Sequence, residues 1–417
     1  MQLAAKKPDG MAAYMAVTAA YWAFMLSDGA LRMLVLLHFH TLGFSPIQLA
    51  YLFLLYEFMG MVTNLSAGWI AARFGLTSTL YAGLALQIVA LVALAQLDPG
   101  WAVATSVIFV MAVQGLSGVA KDLAKMSSKS AVKVLAPEGD GALFRWVAVL
   151  TGSKNAVKGL GFLLGAALLG LLGFTASVYA MAGVLAVILL AVALFMPSGL
   201  PRGKKGAKFR EVFSKDPNIN RLSAARMFLF GARDVWFVVG IPIYFYSVLS
   251  DGSEAGNRAA FFQIGTFMAL WIIGYGAVQA WAPKLLGARD KPLGAITRLA
   301  TLWVSALTLI PFALAGAALL AGGPQGWLTA TLVAGLLLFG FVFAVNSSVH
   351  SYLILAFTQA ERVTMDVGFY YMSNAAGRLL GTLLSGLSYQ MGGLPLCLAT
   401  AGVMAGFSFL IIRRLRP

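Results

Sequence analysis

The stretch PSGLPRGKKGAKFREVFSKDP, from Pro197 to Pro217, decides how the rest of the chain is read. It is rich in glycine, proline and basic residues (Arg202, Lys204, Lys205, Lys208, Arg210, Lys215) and is too polar to cross a hydrocarbon layer. On both sides of it, apolar stretches long enough to cross about 30 Å of bilayer recur. Six lie before it, near 12–37, 46–72, 77–97, 101–120, 142–172 and 174–196. Six follow, near 220–249, 259–282, 295–320, 327–346, 364–389 and 394–412. The expectation is an all-α polytopic membrane protein with an N-terminal half at 1–196, a basic cytoplasmic linker at 197–218 and a C-terminal half at 219–417.

Composition excludes the soluble classes. With 417 residues, 60% of them hydrophobic and 11% charged, and a mean hydropathy of +0.84, the chain has more apolar surface than a soluble fold can bury. The net charge of +15 raises nucleic acid as a partner, but its distribution points to the lipid bilayer. Basic residues gather in one set of loops: Lys6 and Lys7, Arg73, Lys121 to Lys133, the linker, Lys284 to Lys291, Arg362, and Arg413 to Arg416. The alternate loops carry almost none beyond Arg258. By the positive-inside rule both termini are cytoplasmic, in a bacterial inner membrane, and an even number of crossings agrees. The first apolar run is full length and lacks a small-residue cleavage pattern, so no cleavable signal peptide is expected.

Ionisable residues inside the spans carry the functional reading. Arg32, Lys154, Lys158, Arg226, Arg233 and Arg378 all interrupt apolar runs. Each costs about 2.5–3.5 kcal/mol at the bilayer centre even on lenient insertion scales, so something anionic must answer them. Asp28 with Arg32, Lys154 with Lys158, and Asn374 with Arg378 are four apart and share helix faces. Arg226 and Arg233, seven apart, share one too. The acids available at that depth are Asp28, Glu57 and Asp234, so six cations face three carboxylates. A vestibule with that surplus would gather a multiply charged anion. A phosphate ester brings about −1.5 to −2 near neutral pH, so one phosphate with one further acid group fits. Arg and Lys suit such a ligand as bidentate fork and point charge.

The two halves echo each other. The first span holds FMLSDGALRM, with Asp28 and Arg32, and the seventh holds FLFGARDVWF, with Arg233 and Asp234. The fifth reads SKNAVKG from Ser153 and the eleventh MSNAAGR from Met372. Matching polar interruptions in two six-span halves point to a substrate site at the midplane between them. Glu57 reads equally as a proton carrier and as a permanent partner for a cation. Lys121, Lys125, Lys129 and Lys133, every four residues, read as a basic inner-leaflet stripe, with an entry ramp for anions as the alternative. Gly159, Gly161, Gly165, Gly170 and Gly173 read as allowing close helix packing.

Other chemistry lacks its residues. Cys397 is the one cysteine, so there is no thiolate metal site or disulfide framework. His38 and His40 sit at the outer end of the first span and read as interfacial residues, with a pH-sensing gate as the alternative, and His350 is placed at or beyond a helix end. No phosphate-cradling Gly-x-x-x-x-Gly-Lys-Ser/Thr occurs, so transport would run on ion or exchange gradients, with no cofactor. An enzyme acting on lipid phosphates would need a nucleophile and base constellation that is missing. Two transporter alternatives stay open: an organophosphate or phosphate exchanger, and a proton-coupled drug exporter, which so many deep cations suit poorly.

The loop after the second span reads Gly68-Trp69-Ile70-Ala71-Ala72-Arg73-Phe74-Gly75-Leu76-Thr77. It resembles the major facilitator signature Gly-x-x-x-Asp-Arg-x-Gly-Arg-Arg in both glycines and Arg73, and departs from it at Ala72, Leu76 and Thr77. That departure puts the usual charge-relay gate in doubt. GVAKDLAKMSSKS (Gly118 to Ser130), LTGSKNAVKGLGF (Leu150 to Phe162) and FLFGARDVWFVVGIP (Phe228 to Pro242) resemble the ArsJ-type organoarsenical efflux permeases of that superfamily. The resemblance implies export of 1-arseno-3-phosphoglycerate, the product formed when a glyceraldehyde-3-phosphate dehydrogenase uses arsenate, and hence arsenate resistance. It implies roles for Lys154, Asn155, Lys158, Arg233 and Asp234. The full candidate set for substrate is Arg32, Lys154, Asn155, Lys158, Arg226, Arg233, Asn374 and Arg378, with Asp28, Glu57 and Asp234 as ion-pair or proton-coupling residues.

Overall fold

The computed structural model describes residues 10–135, 142–196, 214–286, 291–358 and 363–416, which form helices and short turns with no strand among them. In chain order these are α1 (Gly10–Thr41), α2 (Pro46–Leu94), α3 (Val103–Leu135), α4 (Ala142–Leu172), α5 (Phe174–Phe195), α6 (Pro217–Val235), a π-helical segment (Trp236–Gly240), α7 (Ile241–Leu249), α8 (Glu254–Leu286), α9 (Leu293–Ala321), α10 (Gly326–Phe357) and α11 (Val363–Ile412).

Two of these are each two crossings joined end to end. At 1.5 Å per residue a 49-residue helix runs about 74 Å, more than twice the hydrocarbon thickness. α2 breaks at Gly75, whose φ of 76° only glycine adopts cheaply, and α11 breaks at Gly392 and Gly393, the latter at φ 61°. Conversely, α6, the π-helical segment and α7 form one continuous crossing, Pro217–Leu249. The described helices thus make twelve crossings, six before the polar stretch and six after it. Most of that stretch, 197–213, lies outside the described residues, as do Lys6, Lys7, Arg289 and Arg362. Its last residues behave differently from the expectation: Asp216 caps α6 through Asn218 N and Ile219 N, so the helix already begins at Pro217.

The lipid-facing and buried helices separate cleanly. α5 and α9 present Leu194, Phe195, Leu309 and Leu320 outward, whereas the Pro217–Leu249 crossing is almost wholly enclosed. α11 packs along α6, and the two sets of six meet where α2 lies on α11 and α4 on α8. Small residues set these approaches. A Cβ on Gly161 would stand 2.5 Å from the Leu26 carbonyl oxygen, and one on Gly29 would stand 2.6 Å from that of Lys158, so α1 and α4 touch backbone to backbone. Gly159 is likewise pressed on Ala269, so the packing role expected for these glycines is met, while Gly173, at φ 74°, instead turns the chain from α4 into α5.

The end away from the basic loops is closed by contacts between the two sets. Gly386 lies against Pro46 and Ala50, the Ile47 amide donates to Gln390 Oε1 at 3.2 Å, and the His40 ring meets Tyr246 edge-on at 4.7 Å. His38 stacks on Phe174 at 4.0 Å, so both histidines pack against aromatic rings at the span ends.

Candidate functional site

Ionic residues from five crossings converge midway between the two sets of six. Glu57 on α2, 1% exposed, accepts from Arg32 Nη1 of α1 at 2.9 Å and from Arg378 Nη2 of α11 at 2.6 Å. Arg378 Nε lies 3.4 Å from Asp234 Oδ2, and Asp234 Oδ1 is held by Arg233 at 2.5 Å. The result is an alternating chain, Arg32–Glu57–Arg378–Asp234–Arg233, running from the first set of helices into the second. Beside it Lys158 Nζ stands 3.5 Å from Asp28 Oδ2, and the Tyr56 hydroxyl donates to Asp28 Oδ1 at 2.5 Å. The Gly29–Gly161 contact explains that pair, because it brings α1 and α4 close enough for Lys158 to reach Asp28.

The two signs are not equally placed. The side chains of Arg32, Lys158, Arg233 and Arg378 keep 12%, 15%, 12% and 18% of their surface accessible, while those of Asp28, Glu57 and Asp234 keep 1–2%. The carboxylates are closed off, and the accessible surface of the network belongs to the cations. Aromatic rings support the guanidiniums: Arg32 lies 5.1 Å from the Phe53 centroid and Arg233 4.9 Å from Phe230. These arginines therefore rest on apolar platforms, with guanidinium N–H groups beyond those used in the ion pairs.

The π-helical segment begins two residues after Asp234. Pro242 has no N–H to continue the ladder, and the Ser385 hydroxyl oxygen accepts from the Val239 and Gly240 amides at 3.1 and 3.3 Å. α11 thus supplies both the hydrogen-bond acceptor that holds the irregular turn and, two turns earlier, Arg378.

Sequence reasoning missed a second cluster. Asp122 on α3, 1% exposed, accepts from Thr63 at 2.5 Å and pairs with Lys125 at 3.4 Å, and Lys125 also donates to Asn64 Oδ1 at 2.7 Å. Lys121, 8% exposed, lies 4.0 Å from the Tyr56 ring centroid. The inner-leaflet stripe expected for these lysines is therefore corrected for Lys121 and Lys125, which lie inside the bundle; the side chains of Lys129 and Lys133 lie outside the described residues. The i, i+3 pairing of Asp122 with Lys125 was the signal available, and the four-residue lysine repeat concealed it.

The pooled surplus of charge also needs correction. Arg226 does not join the network: its nearest polar partners are the carbonyl and hydroxyl of Ser347, at 3.1 and 3.0 Å. Lys154 is half-buried one turn from Lys158, Asn155 packs against Gly276 of α8, and the Oδ1 of Asn374 has no hydrogen-bond partner. Within the network itself, four cations face three carboxylates, and the Asp122 cluster adds two lysines to one acid. His350 is a further correction: it is fully buried within α10, not at a helix end.

No family model and no curated protein matches the chain. Solved structures do resemble it along nearly its whole length. A mutant of the nucleoside transporter NupG superposes with a TM-score of 0.69 at 17% identity, covering 96% of this chain and 98% of that one. A POT family transporter in complex with a thioalcohol conjugated peptide gives 0.71 at 14% identity, and one in complex with 5-aminolevulinic acid gives 0.71 at 15%, each covering 97% of this chain and 96% of the other. At such identities the likeness establishes the fold, a twelve-crossing helical bundle of the major facilitator type.

Proposed function

We propose that the chain is a multi-pass transporter of a small organic anion, with phosphate and arsenate esters as its substrate class. The observation that carries this reading is the unequal exposure within the charge network: the cations keep accessible surface and the carboxylates are closed off. Such a site attracts anions and disfavours the cationic and neutral drugs of an exporter. The likeness of three sequence strings to the organoarsenical permeases, Lys154 to Lys158 and Arg233 to Asp234 among them, favours 1-arseno-3-phosphoglycerate within that class. Both termini then face the cytoplasm with the basic loops, in the bacterial inner membrane, and a glyceraldehyde-3-phosphate dehydrogenase supplies the substrate.

The geometry suggests how transport is driven. An oxyanion arriving at Arg32 and Arg378 competes for the donors that hold Glu57. A carboxylate that loses both partners while 1% exposed is expensive to keep charged, so it takes up a proton. Anion and proton therefore bind together and leave together. A substrate carrying about three negative charges then moves about two outward per cycle, and an inside-negative potential of 100 mV contributes roughly 4.6 kcal/mol. Export needs no ATP on this account. A phosphate-ester exchanger would use the same residues without moving net charge, which separates it.

The test is arsenate resistance in a sensitive host. Expressed with a glyceraldehyde-3-phosphate dehydrogenase, the chain should confer resistance that disappears when the dehydrogenase is omitted. Resistance independent of the dehydrogenase would overturn the organic substrate.

A further inference from the structure

A second polar centre touches the same aromatic ring as the network. Arg226 on α6 is 4% exposed, lies 4.1 Å from the Phe230 centroid and 4.9 Å from Tyr370, and meets no carboxylate within ion-pair distance among the described residues. On Arg226, on Tyr370 and on the neighbouring turns of α6 and α10, seven buried side-chain atoms have no hydrogen-bond partner: Arg226 Nε, the Tyr370 hydroxyl, Ser223 Oγ, both amide atoms of Asn346 and both ring nitrogens of His350. Ser223 and Arg226 share one turn of α6, Asn346 and His350 share one face of α10, and the two helices pack together. Arg226 Nη1 already donates to Ser347, which Gln279 also reaches from α8 at 3.3 Å.

Close-packed interiors leave few polar atoms unpaired, and those left are explained by bound water or ions. Here the unpaired groups include the Nε of a guanidinium with no counter-charge, the arrangement that costs most inside a protein. Arg226 N–H, Ser223 O–H, the Asn346 amide N–H and one His350 N–H can donate, while Asn346 Oδ1 and the other His350 nitrogen accept, so it is the unanswered charge of the guanidinium that calls for a negatively charged acceptor. It is small, because Phe230, Tyr370 and Ser347 close around Arg226 and leave it more enclosed than the network cations. It is also separate from the transported anion: Arg226 and Arg233 both contact the Phe230 ring, at 4.1 and 4.9 Å from its centroid, but Arg226 makes none of the network's ion pairs.

We propose that Arg226, Ser223, Asn346 and His350 bind one resident inorganic monoanion of chloride class, which fixes α6 against α10. The site stands whatever the network carries. The test uses the full-length protein purified in detergent with gluconate as the only anion, followed by thermal unfolding as chloride, bromide or nitrate replaces gluconate at constant ionic strength. The expected result is a saturable rise in Tm that is lost in Arg226→Gln and in Asn346→Leu, while Gly183→Ala, with nothing within 4 Å of its added methyl, retains it. Should Arg226→Gln fail to fold, Asn346→Leu and His350→Phe decide. No rise with any of the three anions, a rise of unchanged size and midpoint in Asn346→Leu and His350→Phe, or a rise with bulky phosphate alone, overturns the site.

Discussion

Glu57→Gln removes the carboxylate that two arginines share, and its two consequences run in opposite directions. Arg32 and Arg378 lose contacts of 2.9 and 2.6 Å to a group that is 1% exposed. Breaking a buried pair by removing one partner costs about 3–5 kcal/mol. Arg378 keeps Asp234 at 3.4 Å, and both arginines are partly accessible, so the lower end, about 3 kcal/mol, is expected. With each set of six crossings as the cooperative unit, at roughly 2–4 °C per kcal/mol, Tm should fall by about 6–12 °C. Anion binding should tighten, because the neutral amide that replaces the carboxylate competes only weakly for the guanidinium donors; each 1.4 kcal/mol released gives about tenfold. Thermal unfolding and equilibrium binding of a phosphate ester on the same purified variant read both effects. A double-mutant cycle with Arg378→Met should give a coupling of about 1–3 kcal/mol. Weaker anion binding in Glu57→Gln, or additivity within about 0.5 kcal/mol, would refute the competition argument.

Further expectations follow from particular contacts. Lys158→Ala should abolish arsenate resistance while leaving membrane insertion intact, since Tyr56 still donates to Asp28 at 2.5 Å; full resistance in the variant would count against a substrate role. Gly161→Leu should lower the yield of folded protein sharply, because its Cβ would stand 2.5 Å from the Leu26 carbonyl oxygen, whereas Gly183→Leu meets open space and should be tolerated. Asp122→Asn should lower Tm by several degrees, as two lysines lose their nearby acid inside the bundle; no change would place Lys121 and Lys125 in solvent. Reporter fusions near residues 95 and 205 should report opposite sides of the membrane, and an external signal near Lys204 would invert the orientation.

What was legible in the sequence was whatever a single span could state by itself. Apolar length and the Pro197–Pro217 interruption gave twelve crossings, because bilayer thickness leaves little freedom. Two of the joins, at Gly75 and at Gly392 and Gly393, are left to glycine dihedrals with almost no loop. The network members Arg32, Glu57, Lys158, Arg233, Asp234 and Arg378 were visible as charges where charge is costly, but their partners were not. Arg378 and Glu57 are 321 residues apart, and the contact between them is set by how α2 lies on α11. Lys121 misled because a lysine near a span end has the same local sequence whether it turns to lipid headgroups or to the bundle. Arg226 misled for a related reason: it shares a helix face with Arg233, but it bonds to Ser347 of α10 while Arg233 pairs with Asp234, and a helical wheel does not show which neighbour each will meet.

The central claim is that the network carries an organic anion with two acid groups. Everted membrane vesicles containing the chain should accumulate label when given arsenate, glyceraldehyde 3-phosphate, NAD and the dehydrogenase together, with accumulation rising as the interior is made positive. Bare arsenate should give none. Equal accumulation of bare arsenate, or none from the complete mixture with folded protein verified in the membrane, would contradict the account.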